Sequence, residues 1–253
     1  MSTGPNQPSD RRQEHADRRQ QPVTGAPART VEQMEKDVRE LVTTIQSSHL
    51  SVLLDQLLGP DSPTWQRFRD APAAKRYHHA YQHGLLEHSL TVAQAVSALS
   101  AIFHGVSRDL AVTGALIHDI GKLDTYQFEG EDGDRIEMTH AGRLHGEIAL
   151  GYARVRDQIA QIEDFPFELS QALLHIILSH HGTLEHGSPV VPCTREATLV
   201  HMADNLGSKL GSFDRIERGL DTGAQWSGYD SGLGAVAYFG AGGAEPESPR
   251  LAA

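Results

Sequence analysis

The sequence predicts an all-α helical bundle carrying one small surface β-hairpin. Three observations lead there. Apolar residues recur at intervals of three and four along most of residues 31–219, one short stretch instead reads as two strands around a turn, and the single cysteine, Cys193, excludes a disulfide framework in place of a packed core. A chain of 253 residues is long enough to bury such a core as one domain.

The elements follow in order. The first thirty residues hold one valine and no Leu, Ile, Phe, Trp or Tyr, too little apolar surface to offset the entropy of ordering, so residues 1–32 are expected to be a disordered polar arm. From Val31 to about Leu58 the positions Val38, Leu41, Val42, Ile45, Leu50 and Leu54 keep helical spacing until Gly59-Pro60 breaks the run. Thr64 to Arg69 forms a short helix before Pro72. Leu85 to Phe103 carries Leu85, Val92, Val96 and Leu99 on one stripe and makes a core helix. Leu110 to Ile120 is the next, with Ser107 as its N-cap and Gly121 at its C-terminus. Tyr126–Phe128 and Arg135–Met138 flank the turn signal Asp132-Gly133 and give the hairpin. Helices resume at His145–Ile162, Glu168–His181 and Arg195 to about Gly219, the last two separated by a loop of turn formers. Beyond Gly219 the chain is rich in Gly and Ser around Trp226, Tyr229, Tyr238 and Phe239, and residues 241–253 read as a disordered tail. One helical domain over residues 33–240 is the economical organisation.

Charge and hydropathy exclude several classes. No stretch approaches the roughly eighteen apolar residues of a membrane span, and no N-terminal apolar run suggests a signal, so a cytoplasmic chain with no membrane partner is expected. A net charge of −11 argues against a broadly basic surface, and the arm, with five arginines against three acids, leaves the remainder more acidic still. A polyanionic substrate would therefore have to be neutralised locally.

The residue type that stands out is histidine, fifteen of them against one cysteine, which points to imidazole ligands for any metal. His88 lies three residues after Leu85 and four before Val92. His180 follows Leu169, Leu173 and Ile176 at intervals of four, three and four. Asp204 sits four after Val200 and seven after Ala197. All three face the core of their helices, where an unpaired polar group is costly. His118 and Asp119 close the Leu110 helix, and neighbours diverging by about 100° can still converge on one ion or bridge two. A single histidine on an apolar face is usually a hydrogen-bonded core residue, but five such groups on four helices would each need a separate partner, whereas a shared metal satisfies them together.

The order His88, His118-Asp119, Asp204 resembles the H…HD…D pattern of the HD-domain superfamily of metal-dependent phosphohydrolases, with HDIGK (His118–Lys122) a specific form of its central motif. HHAYQHGLLEHSL (His78–Leu90), ALIHDIGKL (Ala115–Leu123), HIILSHHGTLEHGSPVVPCTREA (His175–Ala197) and HMADNL (His201–Leu206) are similar to the YhaM-type 3′–5′ exoribonuclease branch, and WSGYDSGLGAVAYF resembles a worn copy of its C-terminal segment. The similarity spans about residues 33–240.

The resemblance implies an all-α HD fold holding one or two divalent ions, Mn²⁺ favoured and Mg²⁺, Fe²⁺ or Zn²⁺ also compatible with an all N/O ligand set. It implies that His88, His118, Asp119 and Asp204 hold one ion, that Asp119 bridges, and that His180 and His181 with a residue near position 145 hold the second, a metal-activated water being the nucleophile. Aligning on Gly151 puts Glu147 at that last position, with His145 two residues earlier as the alternative. Asp119 and Lys122 are the catalytic candidates, Lys122 stabilising charge on the transferring phosphoryl group, and Lys122 and His79 are the substrate-binding candidates. His78 could also lie near phosphate, and His175 and His201 are equally consistent with core hydrogen bonds. The implied partner is RNA, an oligonucleotide or a nucleotide. Branch members commonly carry an OB-fold before the HD domain, whereas this chain shows only the polar arm there and no stacking platform for a single strand. Two alternatives therefore accompany the exonuclease expectation: a hydrolase of small nucleotides (dNTP, NMP or cyclic dinucleotide), and a non-catalytic HD sensor that binds a partner.

Overall fold

The computed structural model describes residues 26–75, 79–130 and 135–240. Over these the fold is all-α with two small antiparallel hairpins. The helices are α1 (Val31–Thr43), α2 (Ser48–Leu58), α3 (Pro63–Asp70), α4 (Gly84–Ser100), α5 (Arg108–Ile117), α6 (Lys122–Thr125), α7 (His140–Ile159), α8 (Phe167–Ser179) and α9 (Arg195–Arg218), and the strands are β1 (Tyr126–Glu129), β2 (Arg135–Met138), β3 (Trp226–Asp230) and β4 (Ala235–Tyr238). The expected disorder of residues 1–25 and 241–253, and the Asp132-Gly133 turn, lie outside the described residues.

The apolar stripes do what their spacing demands. Leu85, Leu86, Leu90, Val92 and Val96 bury α4, which packs against α5 and α9 on one side and α1 and α3 on the other. α5 is buried from Leu110 to Ile117 and lies against α4, α8 and α9, so α4 and α5 form the centre of the bundle. Several ends are capped as their sequences suggest. The hydroxyls of Thr30, Ser62, Thr139 and Thr194 accept from the first turns of α1, α3, α7 and α9.

Five local expectations are corrected. The Val31–Leu58 run is two helices, because Asp109 of α5 accepts the backbone N–H groups of Gln46 and Ser47 at 2.7 and 2.9 Å and holds the chain open there. The end of the polar arm is docked: Ala28 donates its N–H to Glu87 at 2.8 Å, and Arg29 pairs with Asp37 at 3.1 Å. Ser107 occupies the N-cap of α5 without a side-chain cap bond, its N–H instead donating to Glu196 at 2.7 Å. Gly121 is not a left-handed C-cap, since its φ is −67°. It is glycine because α7 crosses it so closely that a Cβ would stand 1.9 Å from the Glu147 carbonyl oxygen and 2.5 Å from the Gly151 nitrogen. Finally, the Gly- and Ser-rich stretch after Gly219 pairs as a second hairpin, β3–β4, whose irregular register conceals the usual alternation.

The first hairpin has the expected strands, with Tyr126 opposite Met138 and Glu129 opposite Arg135. α7 contains the most consequential departure. At Gly146 the backbone leaves the helix (φ 74°, ψ 157°), a conformation that glycine adopts without steric cost, so the residues before and after it do not share one helical screw. No helix among the described residues is long and apolar enough to cross a membrane.

Candidate metal centre

The helix ends bring the predicted ligands to one place. His88 comes from the first half of α4, His118 and Asp119 from the turn that ends α5, His180 and His181 from the end of α8, and Asp204 from the middle of α9. His88 Nε2 stands 3.2 Å from His118 Nε2, 3.2 Å from Asp119 Oδ2 and 3.1 Å from Asp204 Oδ1. His118 Nε2 lies 3.3 Å from Asp119 Oδ2 and 3.8 Å from Asp204 Oδ1. On the other side of Asp119, Oδ1 is 3.5 Å from His180 Nε2. Beyond it, His181 Nε2 meets Glu147 Oε1 at 3.2 Å.

Backbone carbonyls fix the ring orientations. His118 Nδ1 is 2.7 Å from the Ala115 oxygen, His180 Nδ1 2.8 Å from that of Ile177, and His181 Nδ1 2.9 Å from that of His186. A carbonyl only accepts, so each Nδ1 carries the proton and each Nε2 presents its lone pair to the cluster, which is the tautomer a metal needs.

Among the described residues, two sets of donor atoms are each mutually close enough to hold an ion: His88, His118 and Asp119, and Asp119, Glu147, His180 and His181. Asp119 belongs to both. The residues fit a divalent cation on independent grounds, because Asp119 Oδ1 and His180 Nε2 are buried acceptors with no hydrogen-bond partner among the described residues, an arrangement that costs free energy unless a cation satisfies both. The donors are imidazole nitrogens and carboxylate oxygens, a set that suits Mn²⁺, Fe²⁺, Mg²⁺ or Zn²⁺.

The electrostatics describe a site organised around negative charge. Burial disfavours the Asp119 carboxylate, but Lys122 and His118 hold it well below the usual range. Burial likewise opposes ionisation of Asp204, and His88 overrides it. Burial pulls His88 down, yet Asp119 and Asp204 carry it up to about 9. The Lys122 ammonium lies 2.6 Å from Asp119 Oδ2, held charged against burial by Asp119 and Glu147.

The structure separates the two candidates near position 145. Glu147 follows the break at Gly146 and turns its carboxylate inward, where Lys122 and His181 keep it ionised despite burial. His145 precedes the break, is exposed, and belongs to neither donor set among the described residues. His79 lies on the loop before α4 with its ring 5.6 Å from that of His88, and its Nδ1 is 2.8 Å from the Tyr81 hydroxyl, which in turn donates to Glu87 at 2.5 Å. His175 accepts from the Cys193 N–H at 2.8 Å, a structural bond away from the cluster. His201 donates from Nδ1 to the His180 carbonyl at 2.7 Å and so braces the turn that carries two of the ligands. His78 lies outside the described residues.

A cleft of about 390 Å³ opens onto the cluster, lined by His88, Asp119, Lys122, His181, Asp204 and, from the surrounding loop and α9, His186, His201, Asn205 and Ser208. Asn205 and Ser208 escaped the sequence reading, although both lie within one turn of Asp204. Tyr126 was also missed. Burial pushes its hydroxyl up to about 12, with Glu147 adding to the shift.

Comparison with known proteins agrees with this geometry. The family described as HD domain matches residues 85–208, a span containing every residue of the two donor sets. The chain is 31% identical over 190 residues to the 3′-5′ exoribonuclease YhaM of Geobacillus sp. (strain WCH70), covering 75% of this chain and 56% of that protein. It is 30% identical over 185 residues to the 3′-5′ exoribonuclease YhaM of Shouchella clausii (strain KSM-K16), covering 72% and 55%. The matched stretch thus spans little more than half the length of these relatives. No solved structure matches the chain.

Proposed function

The chain belongs to the HD-domain family, and on that premise we propose that it is a metal-dependent phosphodiesterase that removes nucleotides from the 3′ end of single-stranded RNA or short oligonucleotides. One observation carries the reading: Asp119 sits between two donor sets, its Oδ1 and the facing His180 Nε2 both lacking a hydrogen-bond partner among the described residues. In this reading His88, His118, Asp119 and Asp204 hold one divalent cation, Mn²⁺ favoured, and Asp119, Glu147, His180 and His181 hold a second. Such cations supply Lewis-acid charge to phosphoryl oxygens and acidify water for in-line attack.

The chain's own groups do the rest. Lys122, held as an ammonium at the cleft, offsets charge on the phosphoryl oxygens as they turn toward the leaving group. The carbonyls behind His118, His180 and His181 keep three imidazoles from rotating, so the site is organised before substrate arrives. Asn205 and Ser208 at the cleft wall offer hydrogen bonds to sugar or phosphate, and His79, held through Tyr81 and Glu87, stands with its ring beside that of His88. The YhaM relatives at about 30% identity favour RNA as substrate. A second reading, a hydrolase of single nucleotides, is supported by the cleft's size, which lies in the range that takes one small ligand.

The experiment is incubation of 5′-labelled single-stranded RNA and DNA oligomers with the protein and Mn²⁺, beside an EDTA control and Asp119→Ala. A metal-dependent ladder shortening from the 3′ end, absent in the variant, is expected. Turnover of mononucleotides alone would select the second reading, and full activity in Asp119→Ala would overturn both.

A further inference from the structure

The β3–β4 hairpin carries a surface that the cleft does not use. Trp226 lies opposite Tyr238, Tyr229 opposite Val236 and Asp230 opposite Ala235. Between the first two pairs β3 spends one residue more than β4, a bulge, so Trp226, Tyr229, Val236 and Tyr238 all fall on the same face. That face is turned outward, with exposures of 60%, 74%, 48% and 53%. The opposite side is the docked one. Ala237 is buried, Asp230 accepts from Arg215 of α9 at 2.7 Å, and Phe213 of α9 meets Phe239 edge-on at 6.1 Å. The two strands therefore turn Ala237 and Asp230 inward and show Trp226, Tyr229 and Tyr238, the reverse of what a surface hairpin gains by doing.

Single exposed apolar residues are ordinary, but three aromatics on one exposed face mark an interaction site. The rings present flat surface more than aliphatic bulk: Trp226 and Tyr238 lie 4.7 Å apart with a 41° tilt, and only Ser227 and Gly228 stand between Trp226 and Tyr229 in the chain. The hairpin is also tied to the helix that lines the proposed site. Lys209 of α9 donates to the carbonyls of Gly232 and Leu233 at 2.9 and 3.0 Å, tying the hairpin's turn to the helix one residue past cleft-lining Ser208 and five past Asp204.

We propose that the outer face formed by Trp226, Tyr229 and Tyr238 is a stacking platform for the bases of a single-stranded nucleic acid whose 3′ end occupies the cleft. The proposal rests on the phosphodiesterase reading for its ligand. Every base has a π-face, so such a platform grips a strand without reading its sequence.

Trp226 and Trp65 are the chain's two tryptophans and Trp65 is 5% exposed, so quenching of tryptophan emission by a strand reports on Trp226. In Asp119→Asn protein with EDTA, ten-nucleotide homopolymers of uridine and of adenosine should quench to saturation and UMP should not. Trp226→Ala and Tyr238→Ala should each weaken binding of a labelled decamer by about tenfold, the loss expected for one stacked base. Trp226→Phe, which keeps a ring and so separates stacking from a folding defect, should recover most of it. With metal and Asp119 intact, the KM for the decamer should rise about tenfold in the alanine variants while that for a dinucleotide shifts less than twofold. Hydrolysis of both substrates with no quenching and an unchanged decamer KM would overturn the platform and leave the phosphodiesterase standing. Binding and quenching by a protein that cleaves no phosphodiester under any divalent metal would overturn the reading of the site and keep the platform. Self-association that the same substitutions abolish, with no response to oligonucleotides, would assign the face to a protein partner and overturn the proposal.

Discussion

His180 Nε2 stands 3.5 Å from Asp119 Oδ1, and neither buried atom has a hydrogen-bond partner among the described residues. The His180 proton is committed to the Ile177 carbonyl, so two acceptors face one another. That arrangement is unfavourable for a core and favourable for a cation.

Asp119→Ala removes the one carboxylate common to both donor sets. Wild-type protein should gain thermal stability with added Mn²⁺, as any ligand of the native state confers, and the variant should lose that gain. Hydrolysis should fall by at least about 10²–10³-fold, the scale set by loss of a single group that stabilises the transition state. A Mn²⁺ titration followed by melting, with metal content by mass spectrometry, tests the binding apart from the activity. An undiminished Mn²⁺ shift in the variant would remove Asp119 from the centre.

Glu147→Ala and His145→Ala should behave differently although the residues are two apart. Glu147 lies 3.2 Å from His181 and faces the centre, while His145 is exposed on the far side of the break at Gly146. Metal stoichiometry should fall from two ions to one in Glu147→Ala and stay at two in His145→Ala. The opposite result would assign the second set to His145.

This pair shows where the sequence stops being legible. His88, His180 and Asp204 were readable because each interrupts an apolar stripe of known period, and a buried polar group has to be answered by something. Glu147 was reached only through the resemblance, with His145 left open beside it, because the argument from spacing assumes an unbroken helix and the positive φ at Gly146 leaves no mark on the hydrophobic pattern. The split of the first helical run was hidden for another reason. Its cause, Asp109, is 63 residues away from the Gln46 amide it accepts, and no local propensity encodes that bond. The second hairpin was missed because a bulge and glycines at 228 and 234 erase strict alternation over strands of five and four residues.

Gly121→Ala should destabilise the protein through contact alone. The added Cβ meets backbone atoms, the Glu147 oxygen at 1.9 Å and the Gly151 nitrogen at 2.5 Å, and backbone packed between two helices cannot yield as a side-chain tip can. Overpacking of this kind costs about 3 kcal/mol. For a chain of this size that is a fall in Tm of roughly 6–12 °C. The same shift pushes α7 away from the HD turn, so Mn²⁺ affinity should weaken with stability. A Tm within about 2 °C of wild type would mean that α7 does not cross Gly121 so closely.

Asp124 supplies a pH test away from the centre. It sits in α6 and accepts from Arg67 of α3 at 2.9 Å and from Arg154 of α7 at 2.5 Å, joining three elements. Burial disfavours its carboxylate, but the two guanidinium groups outweigh that and hold its pKa below the ordinary value. The sign follows from linkage: a folded pKa depressed below the unfolded one, near about 3.9, means that the native state prefers the ionised form. The contribution is therefore complete above about pH 4 and is lost as pH falls through the folded value. Asp124→Asn should lower stability at pH 7 by about 1–2 kcal/mol, the scale of charge-assisted hydrogen bonds at a partly exposed site. The gap between wild type and variant should then close on acidification, as seen in melts from pH 7 to pH 3. A gap that stays constant over that range would show that Asp124 acts through its shape and not through its charge.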